Sequence, residues 1–159
     1  MSDFNMNVKF VSGDIFSANT ITAFAHGCNC AGAMGKGIAV EFKKRWPKMY
    51  AEYHRLCKAG EYKLGDVFVW HQDDVTIFNL GTQAHWTKKA ELSAIEKSVS
   101  LMLEIAKKEG INEIAMPRIG AGLGGADWDE IKQLLCRVNK DSDIVLVICE
   151  SYIPDVTLF

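Results

Sequence analysis

The sequence predicts an α/β domain with a mostly parallel sheet covered by helices. Two observations carry that prediction. Short apolar runs alternate with longer amphipathic stretches, and glycine-rich loops follow the strand candidates. At 159 residues, nearly half of them apolar, the chain suits one domain over residues 1–159. A core of that size closes without a disulfide or metal staple.

Val8–Val11 is a short strand candidate, followed by the turn at Gly13-Asp14. Ile21–His26 is apolar almost throughout, as a strand buried on both faces requires. A helical period begins at Ile38, with Phe42 and Trp46 four residues apart, and Pro47 ends that helix or opens the next. Met49, Tyr53 and Leu56 carry a second amphipathic stretch ended by Gly60. Val67–His71 and Val75–Leu80 read as adjacent strands around a turn at Gln72–Asp74. The spacing predicts a long helix over Glu91–Glu109, with Leu92, Ile95, Val99, Met102 and Ala106 inward and Gly110 as its cap. Ile114–Met116 is a strand, Asp127–Val138 a helix facing inward through Ile131, Leu134 and Val138, and Ile144–Ile148 a last buried strand. No element is assigned to Tyr152–Phe159.

The net charge is −2 with both signs interspersed, so no basic stripe is present for a long nucleic-acid backbone. A single nucleotide is a different partner, because backbone N–H groups at a helix start can hold its few charges. Five cysteines without a secretory pattern at MSDFNMNVKF predict a reducing, cytoplasmic compartment, and no apolar run is long enough for a membrane span.

Three loops at strand exits hold the candidate chemistry: Gly13-Asp14-Ile15, Gly27–Gly37 and Gly120–Gly125. Ligands of open α/β sheets sit outside the carboxyl ends of the strands, so these loops would surround one crevice. Each loop alone would serve as an ordinary tight turn. Gly120–Gly125 satisfies the G-x-G-x-x-G spacing, and Glu150 ends the next strand, where a dinucleotide fold wants an acid. The loop begins too late in the chain to leave room for the other strands of a Rossmann domain. Gly32–Gly37 resembles a P-loop only superficially, having Cys30 and Gly37 where glycine and Ser/Thr are needed.

His26, Cys28 and Cys30 form an H-x-C-x-C cluster that lacks the spacing of a known zinc site, so no metal is expected. His26 reads equally as a packed histidine or as a general acid or base at the crevice. Asn29 offers donor and acceptor to a ribose hydroxyl, and is also a good turn residue. Trp46 and Trp128 read as core, and Lys43–Arg45 and Lys88-Lys89 as solvated faces.

Four blocks in order, Val11–Ile15, Ala25–Cys30, Met34–Ala39 and Pro117–Leu123, resemble the macrodomain family, with spacing that holds from about Val8 to Ile148. Two branches share features with it. Fungal-type ADP-ribose 1″-phosphate phosphatases resemble it at His26–Cys30 and Arg45–Lys48, and terminal ADP-ribose protein glycohydrolases at Met34–Ala39 and Met116–Leu123. The resemblance implies a three-layer α/β/α fold around a mixed sheet, binding ADP-ribose or its 1″-phosphate, or ADP-ribosylated macromolecules, without a cofactor. It implies Asp14 at the adenine amino group with Ile15 beside it, and Tyr152 flanking the adenine. Cys28, Asn29 and Met34 would line the site, with Asn29 at the distal ribose. Gly35, Lys36, Gly37 and Ile38 would run along the phosphates and that ribose, with Ile119, Gly120, Ala121, Gly122, Leu123 and Gly124 opposite. His26 and Asn29 would serve catalysis in the phosphatase branch. The glycohydrolase branch uses a lysine and an aspartate whose positions here are Gln83 and Gly124, and a third hydrolytic branch wants an acid at Ala39. Lys88, Lys89 and Asp127 are the nearby substitutes. The sequence thus favours release of phosphate from ADP-ribose 1″-phosphate, ahead of a non-catalytic reader or an ADP-ribosyl hydrolase.

Overall fold

The computed structural model describes residues 7–121 and 124–159. Six strands form one sheet: β1 (Val8–Gly13), β2 (Ala23–Asn29), β3 (Val67–Gln72), β4 (Val75–Gln83), β5 (Glu113–Pro117) and β6 (Val145–Tyr152). Their order is β1-β6-β5-β2-β4-β3, parallel throughout except for the β3–β4 hairpin. The carboxyl ends of β1, β6, β5, β2 and β4 therefore share one edge of the sheet.

Period-two alternation sorts the strand side chains into two cores. Ala23, Ala25, Ile114, Met116, Leu146 and Ile148 pack with Ile95, Val99, Met102, Ile131 and Leu134. Those last five belong to α3 (Leu92–Lys108) and α4 (Trp128–Val138). Phe24, Cys28, Ala115, Val147 and Cys149 pack on the opposite face with Phe42, Met49 and Tyr53. These three come from α1 (Ala39–Arg45) and α2 (Pro47–Lys58). Helices thus cover both faces, giving the expected three layers. Leu92, expected inward, is exposed at the start of α3, where the first turn leaves the sheet.

Three strands run at least three residues further than their apolar runs. β2 continues through Gly27–Asn29, β4 through Gly81–Gln83 and β6 through Cys149–Tyr152. Parallel pairing to neighbours, such as Cys28 with Gly81 and Asn29 with Gln83, carries the ladder past the point where hydrophobicity stops. The segment 153–159 also has a place. Ser12 and Phe159 exchange backbone hydrogen bonds at 2.9 and 3.0 Å, and Asp14 N–H donates to the Val156 carbonyl at 2.7 Å. This segment covers the carboxyl end of β1's otherwise open edge, a remedy for unpaired backbone groups there.

Candidate functional site

A crevice of about 580 Å³ opens over the shared carboxyl edge, a size that suits a nucleotide-sized ligand. It is bounded by the ends of β2, β4, β5 and β6 and by the loops that leave them. From β6 to β4 is three inter-strand steps, or about 14 Å. The floor is therefore long and shallow rather than a round hole.

On the α1/α2 side the wall is the loop after β2, and Asn29 shapes it. Its Oδ1 accepts from the N–H groups of Ala31 and Ala33 at 3.1 and 3.2 Å, and its Nδ2 donates to the Ala33 carbonyl at 2.8 Å. Two tyrosines of α2 clamp the same loop, Tyr53 through the Asn29 carbonyl and Tyr50 through that of Gly32. So Asn29, expected at the distal ribose, lines the crevice but commits most of its amide to the loop. Gly35, Lys36 and Gly37 then stand exposed on the lip. A Cβ on Gly35 would meet nothing, so its backbone faces open space.

The opposite wall is the loop after β5. Gly120 has φ +74°, and a Cβ there would come within 2.6 Å of Ile95 Cδ1. Glycine is required at that point both by conformation and by the approach of α3. Ala126 N–H closes the loop onto the Gly120 carbonyl at 2.9 Å. Ile119, Gly120, Ala121 and Gly124 line the crevice. Gly122 and Leu123 lie outside the described residues. Asp127 caps α4 by accepting from Asp129 N–H at 3.0 Å. That carboxylate is a helix cap, off the crevice lining.

His26 borders the crevice from below, with its ring enclosed by its neighbours. It is 1% exposed, and its ring stacks on Phe42 with centroids 3.9 Å apart. Asn79, its partner across the β2–β4 ladder, donates its Nδ2 to the Phe68 carbonyl, which turns Oδ1 toward His26 Nε2 at 2.7 Å. The His26 Nε2–H is therefore the donor. Burial pulls its pKa down to about 4, against which the Asn79 contact works only in part. The proton-bearing nitrogen is tied to Asn79 and the charged form is disfavoured, so acid–base work by His26 would require the Asn79 contact to open. The neighbouring thiols offer no substitute, because burial pushes both Cys28 and Cys149 up and keeps them protonated. Among the described residues, no three His, Cys, Asp or Glu side chains gather as a metal site.

Asp14 and Ile15 stand beside the crevice rather than on its lining. Ile15 is fully buried in the α1/α2 core. Asp14 caps a short 3-10 turn over Ile15–Ser17, its Oδ1 accepting from Phe16 N–H and its Oδ2 from Asp155 N–H, each at 2.9 Å. Tyr152 does line the crevice at the β6 end, as do Cys28, Met34 and Ile38 elsewhere.

Gln83, where the sequence comparison places a catalytic lysine, lines the crevice with its amide donating to the Lys88 carbonyl. Lys88 and Lys89 are exposed and off the lining. Sequence reasoning missed Thr82, Trp86 and Arg118, which all contribute to the crevice. Trp86 had a readable signal, an aromatic residue inside the polar stretch between β4 and α3. Thr82 had none. Its side chain sits where a Cβ on Gly27 would fall, 2.9 Å from Oγ1, so the two positions are matched across strands.

The bare-backbone walls and the helix-covered sheet define a three-layer α/β domain with a ligand-sized crevice at the strand ends, and a match to the Macro domain model over residues 25–135 places the chain in that family. The DNA ADP-ribosyl glycohydrolase of Mycobacterium tuberculosis is 35% identical over 132 residues, covering 80% of this chain and 37% of that protein. This chain thus spans little more than a third of that relative's length. The ADP-ribose 1″-phosphate phosphatase of Candida albicans is 31% identical, covering 80% of this chain and 91% of the relative. A solved structure of Thermosipho africanus DarTG in complex with ADP-ribose superposes with a TM-score of 0.81 at 28% identity, covering 95% of this chain and 43% of that one.

Proposed function

We propose that this domain binds ADP-ribose and hydrolyses the bond that joins its distal ribose to a further group. The observation that carries this reading is one crevice walled by two backbone-lined glycine loops across the ends of four strands. N–H groups of Gly35–Ile38 and, across the crevice, of Ile119, Gly120, Ala121 and Gly124 would hold the diphosphate. Tyr152 would flank the adenine, and Asp14 would meet its amino group once the Asp155 contact shifts. The anomeric carbon would then lie near Asn29 and Gln83. The protein's share in the reaction is orientation, exclusion of bulk water and preorganised N–H donors.

Two substrate types share that chemistry. ADP-ribose 1″-phosphate carries a phosphate at this carbon, and ADP-ribosylated DNA or protein carries a macromolecule. The sequestered His26 weakens the case for a phosphatase built on that histidine. The similarity to DNA ADP-ribosyl glycohydrolases supports glycosidic cleavage. A reader that binds without turnover is the second reading, favoured by Gln83 and Gly124 at the positions where a glycohydrolase carries lysine and aspartate. Five free cysteines suit action in a reducing cytoplasm.

Calorimetry with ADP-ribose and AMP, followed by turnover assays on ADP-ribose 1″-phosphate and on ADP-ribosylated DNA and protein, tests the proposal. One-to-one binding that is stronger for ADP-ribose, with release from at least one substrate, is expected. Binding without any release selects the reader, and no binding of ADP-ribose overturns both readings.

A further inference from the structure

Trp86 is one of five large apolar side chains exposed among the described residues, and of these it alone lies on the crevice lining. It is 55% exposed. Its ring lies against His85, with centroids 3.7 Å apart and planes 31° from each other. His85 is itself fixed, because its Nδ1 accepts from Thr87 N–H at 3.2 Å. The turn beneath is closed by Lys88 N–H to the His85 carbonyl at 3.0 Å and by Gln83 to the Lys88 carbonyl. Ala90 N–H joins it to Gly124 at 2.9 Å. The indole is thus presented on a supported turn with a free face.

Its place in the fold gives that face a direction. Trp86 follows β4, at the opposite end of the crevice from Tyr152 on β6. If the adenine lies by Tyr152, the distal ribose and whatever it carries leave the crevice beside Trp86. Lys88 and Lys89 follow within three residues, both exposed, and neither forms an ion pair among the described residues. A free aromatic face beside unpaired cations is the combination that holds a single-stranded nucleic acid, by base stacking and phosphate attraction.

We infer that His85-Trp86 is the platform for the base of an ADP-ribosylated single-stranded DNA, with Lys88 and Lys89 taking its flanking phosphates. The inference rests on the ADP-ribose reading above and names the group beyond the ribose. It agrees with the net charge of −2, since two lysines reach one or two phosphates and not a long backbone.

The test uses Trp86→Ala and Trp86→Phe on the full chain, with three probes: free ADP-ribose, a short ADP-ribosylated single-stranded DNA and an ADP-ribosylated peptide. Affinity is read by displacement of a fluorescent ADP-ribose. Trp86→Ala is expected to weaken the DNA probe by roughly tenfold or more, a clearly larger loss than on free ADP-ribose or on the peptide. Trp86→Phe should recover part of the loss. Replacing Lys88 and Lys89 by glutamine should flatten the salt dependence of the DNA probe by roughly 0.7 per phosphate released. Unchanged affinity for the DNA probe in Trp86→Ala overturns the inference, as does an equal loss on the peptide or on free ADP-ribose. Wild-type protein that fails to bind free ADP-ribose overturns the underlying reading instead.

Discussion

At the scale of single residues, His26 shows how burial redirects chemistry. Its neutral ring is worth more to the fold than to a reaction, because Asn79 and Phe42 have it between them. His26→Ala should leave a cavity and an unpaired Asn79 Oδ1, costing about 2–4 kcal/mol in urea unfolding. The pH dependence has a definite sign. The folded pKa of about 4 lies below the unfolded value of 6.5, so the unfolded chain binds more protons between these limits. Stability from this group is complete above about pH 6.5 and is lost as pH falls toward 4, by roughly 3 kcal/mol in all. His26→Ala should lose that slope, read as a change in urea midpoint between pH 7 and pH 4.5. A mutant that keeps full stability and the same slope would return His26 to the solvent. Asn29 gives a contrasting case, since its side chain braces a loop and not a core. Asn29→Ala should weaken ADP-ribose binding by about tenfold, through loss of contacts worth roughly 1.5 kcal/mol. Calorimetry on the folded mutant checks it.

At the scale of elements, the sequence made the helices legible and blurred the strand ends. Ile95, Val99, Met102 and Ala106 repeat as a helix face must, and all four are buried. β2, β4 and β6 instead end in residues that carry no hydrophobic signal, such as Gly27, Thr82 and Glu150. Their pairing comes from parallel neighbours far away in sequence, which a local pattern does not encode. The glycine loops were readable because a special backbone demands a special residue. The roles of Asn29 and Asp14 were not, since the Asn29 amide is taken up by its own loop and the Asp14 carboxylate, beside the crevice, by Phe16 N–H and the distant Asp155 N–H. Gly120 makes the element-scale prediction. Gly120→Ala puts a methyl group at φ +74° and against Ile95 and Ile131, so the loop must shift. A cost of about 1–3 kcal/mol is expected, with ADP-ribose affinity falling further than stability alone would account for. Equal affinity in this mutant would mean that the second wall does not touch the ligand. The 153–159 segment was unassigned for a related reason, because its partner is the edge of β1 at the other end of the chain. Deleting it should expose that edge and release Asp14 Oδ2, destabilising the domain and promoting self-association in sedimentation.

On the scale of the whole molecule, the two walls of the crevice belong to different layers. The Gly27–Gly37 loop is braced by α2, and the loop after β5 is pressed against α3 and leads into α4. A ligand that touches both couples the two cores across the sheet, whereas one that reaches only the β6 end does not. Linkage then gives a quantitative expectation. A ligand bound only by the folded state adds RT ln(1 + [L]/Kd), about 2.7 kcal/mol at a hundredfold excess over Kd. For a domain of this size each kcal/mol moves the melting temperature by roughly 2–4 °C. ADP-ribose at that excess should therefore raise Tm by about 5–10 °C. AMP at the same concentration should raise it less, since it lacks the second phosphate and ribose that would reach the far wall. The comparison needs only differential scanning fluorimetry with matched concentrations and a NAD control. A shift with NAD and none with ADP-ribose would return the G-x-G-x-x-G loop to a dinucleotide fold. Equal shifts with AMP and ADP-ribose would confine the ligand to one wall, and the β2 loop would then be a brace for the sheet and not part of a binding site.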